Sequence, residues 1–310
     1  MEDWDLVIVG GGPAGLAAGI YAGRSGLKTL IVEEKTVGGQ VAVSPRIENY
    51  PGFESITGVE LVEKMAEHCR KFGAHINEVE KAYSITFNHQ EILVKTDKTT
   101  YTSKTLIVAT GTHHRLLNVP GESKYQGRGV SFCALCDGAF FKGKKVIVVG
   151  GGNSAAASAR YLANIAANVK LVHRRNQLRA EKASMEALKR LKVEFLWDSE
   201  VSKIKGNGVV QGVTLRNNKT NEVREVSVDG VFVQIGEVPN TQLAKDAGVE
   251  LDEKEYVIVD VRQRTNIPGV FAAGDVTNRS VKQIGTAVGE AIIAATEAFG
   301  YAKRPYFYKG

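Results

Sequence analysis

The run Cys133-Ala134-Leu135-Cys136 is followed directly by Asp137-Gly138. Two residues between cysteines let the sulfurs close a disulfide in a helical or tight-turn geometry, and such pairs can have depressed thiol pKa values. The spacing also reads as half of a structural zinc site, but zinc asks for four ligands, usually from two spaced pairs. The rest of the chain offers Cys69, His113 and His114 at unrelated spacing. Redox exchange is therefore the chemistry expected of Cys133 and Cys136. Reducing a disulfide takes up two electrons and two protons, so a nearby acid is useful. Asp137 is the candidate proton donor; its other reading is a plain turn residue before Gly138.

Electrons need a carrier, and two glycine-rich loops offer places for one. Gly10-Gly11-Gly12-Pro13-Ala14-Gly15 follows the apolar run Leu6–Val9, and Gly150-Gly151-Gly152-Asn153-Ser154-Ala155 follows Val146–Val149. Each loop ends a strand and opens a helix, the context in which such a pattern holds a dinucleotide. Gly10 and Gly150 permit the tight turn, while Gly12 and Gly152 let the backbone approach a pyrophosphate at the helix N-terminus. Glu33 follows Gly10 by 23 positions, and His173 follows Gly150 by 23. A carboxylate there suits free ribose hydroxyls, as in FAD. His173, Arg174, Arg175 and Arg179 suit a 2′-phosphate, which an acid would repel and arginines grip in bidentate fashion. The first loop is expected to hold FAD and the second NADPH.

The elements that position these groups repeat. Strand, glycine turn, helix, then the strands Thr29–Glu33 or Val169–His173, make a βαβ order twice over. The expected fold class is α/β: two Rossmann-like, doubly wound, three-layer nucleotide-binding domains, the second inserted into the first. Ile92–Val94, Thr105–Val108, Val231–Gly236 and Gly269–Ala273 read as further strands, and Glu237-Val238-Pro239-Asn240 as a linker. Ile284, Ala287, Val288, Ala291, Ile292 and Ala295 share one face of a closing helix. The C-terminal stretch is too short for a core of its own, so it must pack back on the first unit. The FAD domain is expected at 1–115 and 243–310, and the NADPH domain with its CxxC pair at 116–242. The chain would cross between them near His113–Leu117 and near Pro239–Leu243.

With 310 residues, 43% hydrophobic and 24% charged, the chain can bury two ordinary cores. No apolar run reaches the roughly 18–20 residues that span a bilayer, and the acidic start is unlike a secretory signal. The cytoplasm is the expected location. A net charge of +6 is spread without a basic run, so neither nucleic acid nor membrane is an expected partner. Cys69, in the helical stretch Val59–Phe72, reads as a core or surface thiol.

Taken in order, GGGPAG, Gly38-Gly39-Gln40, Glu48-Asn49-Tyr50-Pro51-Gly52, ATGT from Ala109, CALCDG, GGGNSA, HRRNQLRAEK from His173 to Lys182, GEVPNT and GVFAAGDV resemble the low-molecular-weight thioredoxin reductases. The resemblance spans essentially the whole chain. It implies FAD, NADPH, a homodimer, a thioredoxin- or glutaredoxin-like protein substrate, and rotation of the inserted domain. Carried over by position, Gly39 and Gln40 line the flavin, Asn49 lies near its ring and Asp275 bonds the ribityl chain. Gln283 and Ile284 bring the last helix to the pyrimidine end. Apart from the resemblance, Cys136 is the expected flavin-facing sulfur, and which cysteine attacks the partner stays open. The implied FAD contacts are Gly10, Gly12, Pro13, Ala14, Gly15, Glu33, Glu34, Gly39, Gln40, Asn49, Ala109, Thr110, Gly111, Gly274, Asp275, Lys282, Gln283 and Ile284. Those for NADPH are Gly150, Gly152, Asn153, Ser154, Ala155, His173, Arg174, Arg175 and Arg179. The chain departs from the common pattern at Ala157 and Ser158, at Lys282, and at Leu135. Competing readings are a dithiol oxidase passing electrons to oxygen, a ferredoxin- or deazaflavin-linked reductase, and a non-enzymatic flavin redox sensor. The aromatic tail Arg304–Tyr308 is expected to pack on the body, across a dimer, or over a cofactor pocket.

Overall fold

The computed structural model describes residues 2–88, 91–180 and 182–303, so the expectation for the aromatic tail lies outside the described residues. In chain order the first segment carries β1 (Glu2–Val9), α1 (Pro13–Arg24), β2 (Thr29–Val32), α2 (Gly58–Lys71) and β3 (His75–Asn77). It continues with β4 (Ala82–Asn88), β5 (Glu91–Thr96), β6 (Thr100–Val108) and β7 (Thr112–His114). The middle segment holds β8 (Val130–Ser131), α3 (Ala134–Asp137), β9 (Lys145–Gly150), α4 (Asn153–Ala163), β10 (Asn168–Val172) and α5 (Lys182–Arg190). Then come β11 (Glu194–Leu196), β12 (Ser199–Asn207), β13 (Val209–Asn217), β14 (Val223–Ser227) and β15 (Gly230–Gln234). The chain closes with β16 (Glu237–Pro239), α6 (Gln242–Asp246), β17 (Val270–Ala272) and α7 (Ile284–Lys303).

These elements form two compact units, Met1–His113 with Val238–Gly310, and His114–Glu237. The second crossing thus falls before Pro239. Asn240 supplies the reason: its N–H donates to Gly111 O at 3.0 Å, its Nδ2 to Thr110 O at 2.8 Å, and its carbonyl accepts from Thr110 Oγ1 at 2.7 Å. Those bonds tie it to the first unit. Glu237–Pro239, read from sequence as linker, is strand β16 and pairs with β7.

In the first unit, β1 lies parallel between β2 and β6, with Leu6 opposite both Thr29 and Thr105. Both faces of β1 are covered, which is why Leu6–Val9 read as a continuous apolar run. Leu6 and Ile8 pack under α1, α2 and α7; Val7 and Val9 join Ile85, Ile92 and Val94 of the antiparallel β4–β5 pair. Small residues of α7, including Ala287, Ala291 and Ala298, are buried in the core shared with α1. A capping box starts α2, with Thr57 Oγ1 accepting from Glu60 N–H while Glu60 Oε2 accepts from Thr57 N–H. The tail returns as β17, parallel to β6 through Val270 and Leu106.

The second unit repeats the plan in the order β11-β10-β9-β15-β8, all parallel. It adds an antiparallel sheet, β12-β13-β14, absent from the sequence reading. Its signal was present: Asn207-Gly208 between two alternating segments marks a hairpin, and Gly208 takes φ +75°.

Candidate active site

β1 ends at Val9 and α1 starts at Pro13, so Gly10–Gly12 make the turn. Gly10 has φ +111°, and a Cβ on it would fall 2.3 Å from Ala109 O. A Cβ on Gly15 would fall 1.8 Å from Gly10 O; glycine there lets the helix run against its own turn. Gly12 differs, since nothing lies within 4 Å of where its Cβ would be. As N-cap it offers no side chain to the helix, and Pro13 at the first helical position has no N–H to satisfy. The amides of Ala14 and Gly15 are left facing an open cradle, with the helix dipole favouring an anion.

Other expected FAD residues gather around that cradle. Glu33 Oε2 accepts from Gly11 N–H at 2.7 Å. Gly38 N–H donates to Gly11 O at 2.8 Å, and a Cβ on Gly39 would lie 3.5 Å from Gly12 Cα. Gln40 Nε2 donates to both oxygens of Thr112. Ala109 is tied to Val9 O, and Thr110 and Gly111 to Asn240. Gly274, at φ +80°, has no room for a Cβ because Ala14 Cβ would sit 2.9 Å away. That contact brings the Gly274–Asp275 turn to the start of α1. Burial pushes the Asp275 carboxyl above the usual carboxylate range, against the pull of Lys282. Asp275 is half-buried and no hydrogen bond among the described residues reaches its carboxyl, so its oxygens keep acceptor capacity for a ligand. Hydroxyl donors of a bound ribityl chain would satisfy it. Asn49 Nδ2 donates to Gln283 Oε1 at 3.2 Å, one residue before α7 begins at Ile284. Two expected contacts are engaged elsewhere. Glu34 pairs with Lys81 at 2.9 Å, while Lys282 Nζ donates to Thr277 O and stands 4.7 Å over the Tyr256 ring.

The dithiol lies in the second unit. Cys133 and Cys136 form a disulfide across the short helix α3. Cys133 is its N-cap, and Cys133 Sγ accepts from Cys136 N–H at 3.1 Å. Both cysteines are half-buried, and Leu135 between them is 57% exposed, an apolar contact beside the disulfide. Asp137 Oδ2 accepts from Ser131 Oγ at 2.6 Å. Burial raises the Asp137 carboxyl above its ordinary range and the Ser131 hydroxyl partly opposes this. It therefore keeps its proton to a higher pH than a surface aspartate, as a donor to a thiolate requires. His114 stacks on Phe132 at 4.6 Å, and Gln234 Nε2 holds Phe132 O.

The second glycine loop copies the first with one exchange. Gly150 has no space for a Cβ, which would meet Gln234 O at 2.2 Å; Gly152 faces open space and caps α4; Ala155 is buried. Asn153 and Ser154 open the helix. The His173 ring lies against Gly151, where a Cβ would be 2.1 Å from Cε1. His173 is 7% exposed, and its Nε2 has no partner among the described residues. Burial first, then the charges of Arg179, Arg174 and Arg175, lowers its pKa, so the ring stays neutral. The three arginines are exposed, and Arg179 N–H donates to Gly151 O at 2.7 Å, fastening their loop to the glycine turn. Every expected FAD residue lies in the first unit; both cysteines and every expected NADPH residue lie in the second.

A family model described as pyridine nucleotide-disulphide oxidoreductase matches residues 4–291. The chain belongs to that family. Thioredoxin reductases of Bacillus subtilis and Peptoclostridium acidaminophilum are 42% and 41% identical to it. Each alignment covers 97% of this chain, and 95% and 97% of those relatives. The crystal structure of a thioredoxin reductase from Streptococcus pyogenes is 42% identical and superposes with a TM-score of 0.94 over 98% of this chain and 99% of that one.

As a pyridine nucleotide-disulphide oxidoreductase of this kind, the protein uses FAD and NADPH. The open, uncapped cradles at Gly12 and Gly152, the Asp275 carboxyl with no hydrogen bond among the described residues and the His173 Nε2 with none either fit those two groups. Two residues that touch the expected site residues were not found from sequence. Ser131 touches both Asp137 and Cys133, and Glu290 Oε2 accepts from Gly274 N–H at 2.9 Å and Thr277 Oγ1 at 3.3 Å, fixing the Asp275 turn. Ser131 ends a strand and Asp137 ends the short helix after it, so no single periodicity relates them. Glu290 had a signal in hindsight, as the one charged residue in the small and apolar stretch 284–296.

Proposed function

We propose that the protein is a thioredoxin reductase, moving two electrons from NADPH through FAD to the Cys133–Cys136 disulfide and on to a thioredoxin-like protein. The observation that carries this reading is a disulfide capping a short helix beside a half-buried carboxyl whose pKa is raised, in a unit with a dinucleotide loop. FAD, when bound, relays electrons between a hydride donor and a disulfide, which NADPH alone does poorly.

The chain's own residues do the rest. The Gly10–Gly15 turn and α1 hold an adenylate pyrophosphate, Glu33 the ribose hydroxyls, and Asp275 a polyol chain. Asn49, Gln283 and the first turn of α7 orient the ring end, where the helix dipole favours negative charge. Arg174, Arg175 and Arg179 select the 2′-phosphate around a neutral His173. Asp137 gives a proton to the sulfur that leaves as thiolate. The other thiolate attacks the partner's disulfide, and the mixed disulfide is resolved by its neighbour. Leu135, exposed between the cysteines, supplies apolar contact for that partner.

We further propose a cytoplasmic location, where thioredoxin-like partners are kept reduced, and a homodimer. Exposed Ile258, Val261, Val281 and Ile293 of the first unit are surface a second copy would cover. Sedimentation should then give twice the chain mass.

The test is NADPH oxidation with an oxidised thioredoxin. Turnover that needs the protein disulfide, and is lost in Cys136→Ser, supports the reading. NADPH consumption with oxygen alone, unaffected by thioredoxin, would overturn it.

A further inference from the structure

We propose that Ser131 is the positioning residue for the proton donor: its hydroxyl turns between Asp137 and the Cys133 carbonyl as Asp137 loses and regains its proton. This rests on the proposed role of Asp137.

Ser131 ends strand β8 and is 4% exposed, so water does not serve its hydroxyl. Its Oγ has three neighbours. It stands 2.6 Å from Asp137 Oδ2 and 3.3 Å from Cys133 O, and it accepts from Cys133 N–H at 3.1 Å. A hydroxyl carries one hydrogen and two acceptor positions. That hydrogen cannot serve Asp137 and the Cys133 carbonyl together.

The protonation state of Asp137 decides between them. With the carboxyl ionised, the hydrogen points at Oδ2, a short charge-assisted bond. With the carboxyl protonated, Oδ2–H donates to Oγ, and the serine hydrogen swings to Cys133 O. Cys133 N–H donates to the same oxygen in both states. The backbone of one redox cysteine is thereby tied to the charge on the acid. The chemical step is a proton transfer only: Asp137 carboxylic acid and a thiolate become Asp137 carboxylate and a thiol. No electrons move in it.

Little else competes for Asp137. Among the described residues, burial raises the Asp137 pKa and the Ser131 hydroxyl lowers it. The titratable groups of α4, the helix packed on α3, are Arg160 and Tyr161, and neither is among those influences. Its remaining ionisable neighbours in sequence are Cys133 and Cys136 themselves, which carry no charge as a disulfide.

The test uses the oxidised protein labelled with ¹⁵N-cysteine, which has three amide signals because the chain has three cysteines. The Cys133 amide should titrate with a midpoint above the usual carboxylate range, while that of buried Cys69 stays flat. Asp137→Asn should abolish the titration. In Ser131→Ala the Cys133 response should disappear. The Asp137 midpoint, followed by its carboxyl infrared band, should rise by about one to two pH units, the value of one hydrogen bond to a charge. Ser131→Thr should restore both. A Cys133 amide flat across the Asp137 titration in the unaltered protein overturns the proposal, whether or not the alanine variant folds. An alanine variant with unshifted midpoint does so too. No partner or nicotinamide enters these measurements, so failure to reduce thioredoxin would count against the proposed function and leave this result to be judged alone.

Discussion

The Glu33 carboxylate accepts the Gly11 amide at 2.7 Å, and at the matching place in the second unit the His173 ring lies against Gly151. One glycine turn is thus closed by an anion and the other by a neutral ring flanked by arginines. Replacing Glu33 by Ala removes the acceptor from Gly11 as well as from the ribose. Because hydrogen bonds to charged groups contribute roughly 1.5–3 kcal/mol each, FAD affinity should fall at least about tenfold. Flavin fluorescence released on dilution measures this; unchanged retention would mean the ribose is held by other groups.

Arg174→Ala should weaken NADPH use about tenfold to several hundredfold, the equivalent of one or two charge-assisted bonds. NADH use should hardly change, since it lacks the 2′-phosphate. Equal losses in kcat/KM for both nucleotides would refute the assignment.

The role proposed for Asp275 sets function against stability. Its folded pKa is raised above the unfolded value of 3.8, so between those two values the folded state binds more protons than the unfolded chain. Stability from this group is therefore present at low pH and falls as pH rises through the folded pKa. Asp275→Asn removes the half-buried charge. After flavin removal the variant should melt higher than the unaltered protein at pH 7, with the difference closing below about pH 4. It should also hold FAD less well. A lower melting point at pH 7 would show that Asp275 has stabilising partners of its own.

Cys69 should be chemically silent. It is fully buried in the core of the first unit, and burial pushes its thiol up to about 12. A Cβ on Gly19 would fall 2.5 Å from its sulfur, so α1 and α2 pack closely there. In the reduced native protein, iodoacetamide should label Cys133 or Cys136 and leave Cys69 until unfolding. Mass mapping of the peptides decides it. Cys69→Ser should cost about 1–3 kcal/mol, because it buries a hydroxyl without an assured partner.

What the chain's order of residues determined by itself was local. Strand, glycine turn and helix are adjacent in sequence, so both βαβ units, both cradles, the acid-for-histidine exchange at Glu33 and His173, and the Cys133–Cys136 pair were legible. The closing helix was legible too, because its apolar spacing repeats every turn. Only the tertiary structure decided what lies far apart along the chain. It closed the second unit at Glu237, since Asn240 bonds back to Thr110 and Gly111. It joined Glu290 to the Asp275 turn, sixteen residues away along the chain. It also turned Lys282 and Glu34 to partners within the protein. Periodicity reports which face of an element is buried; it carries no record of which distant hydroxyl or carboxylate that face will meet.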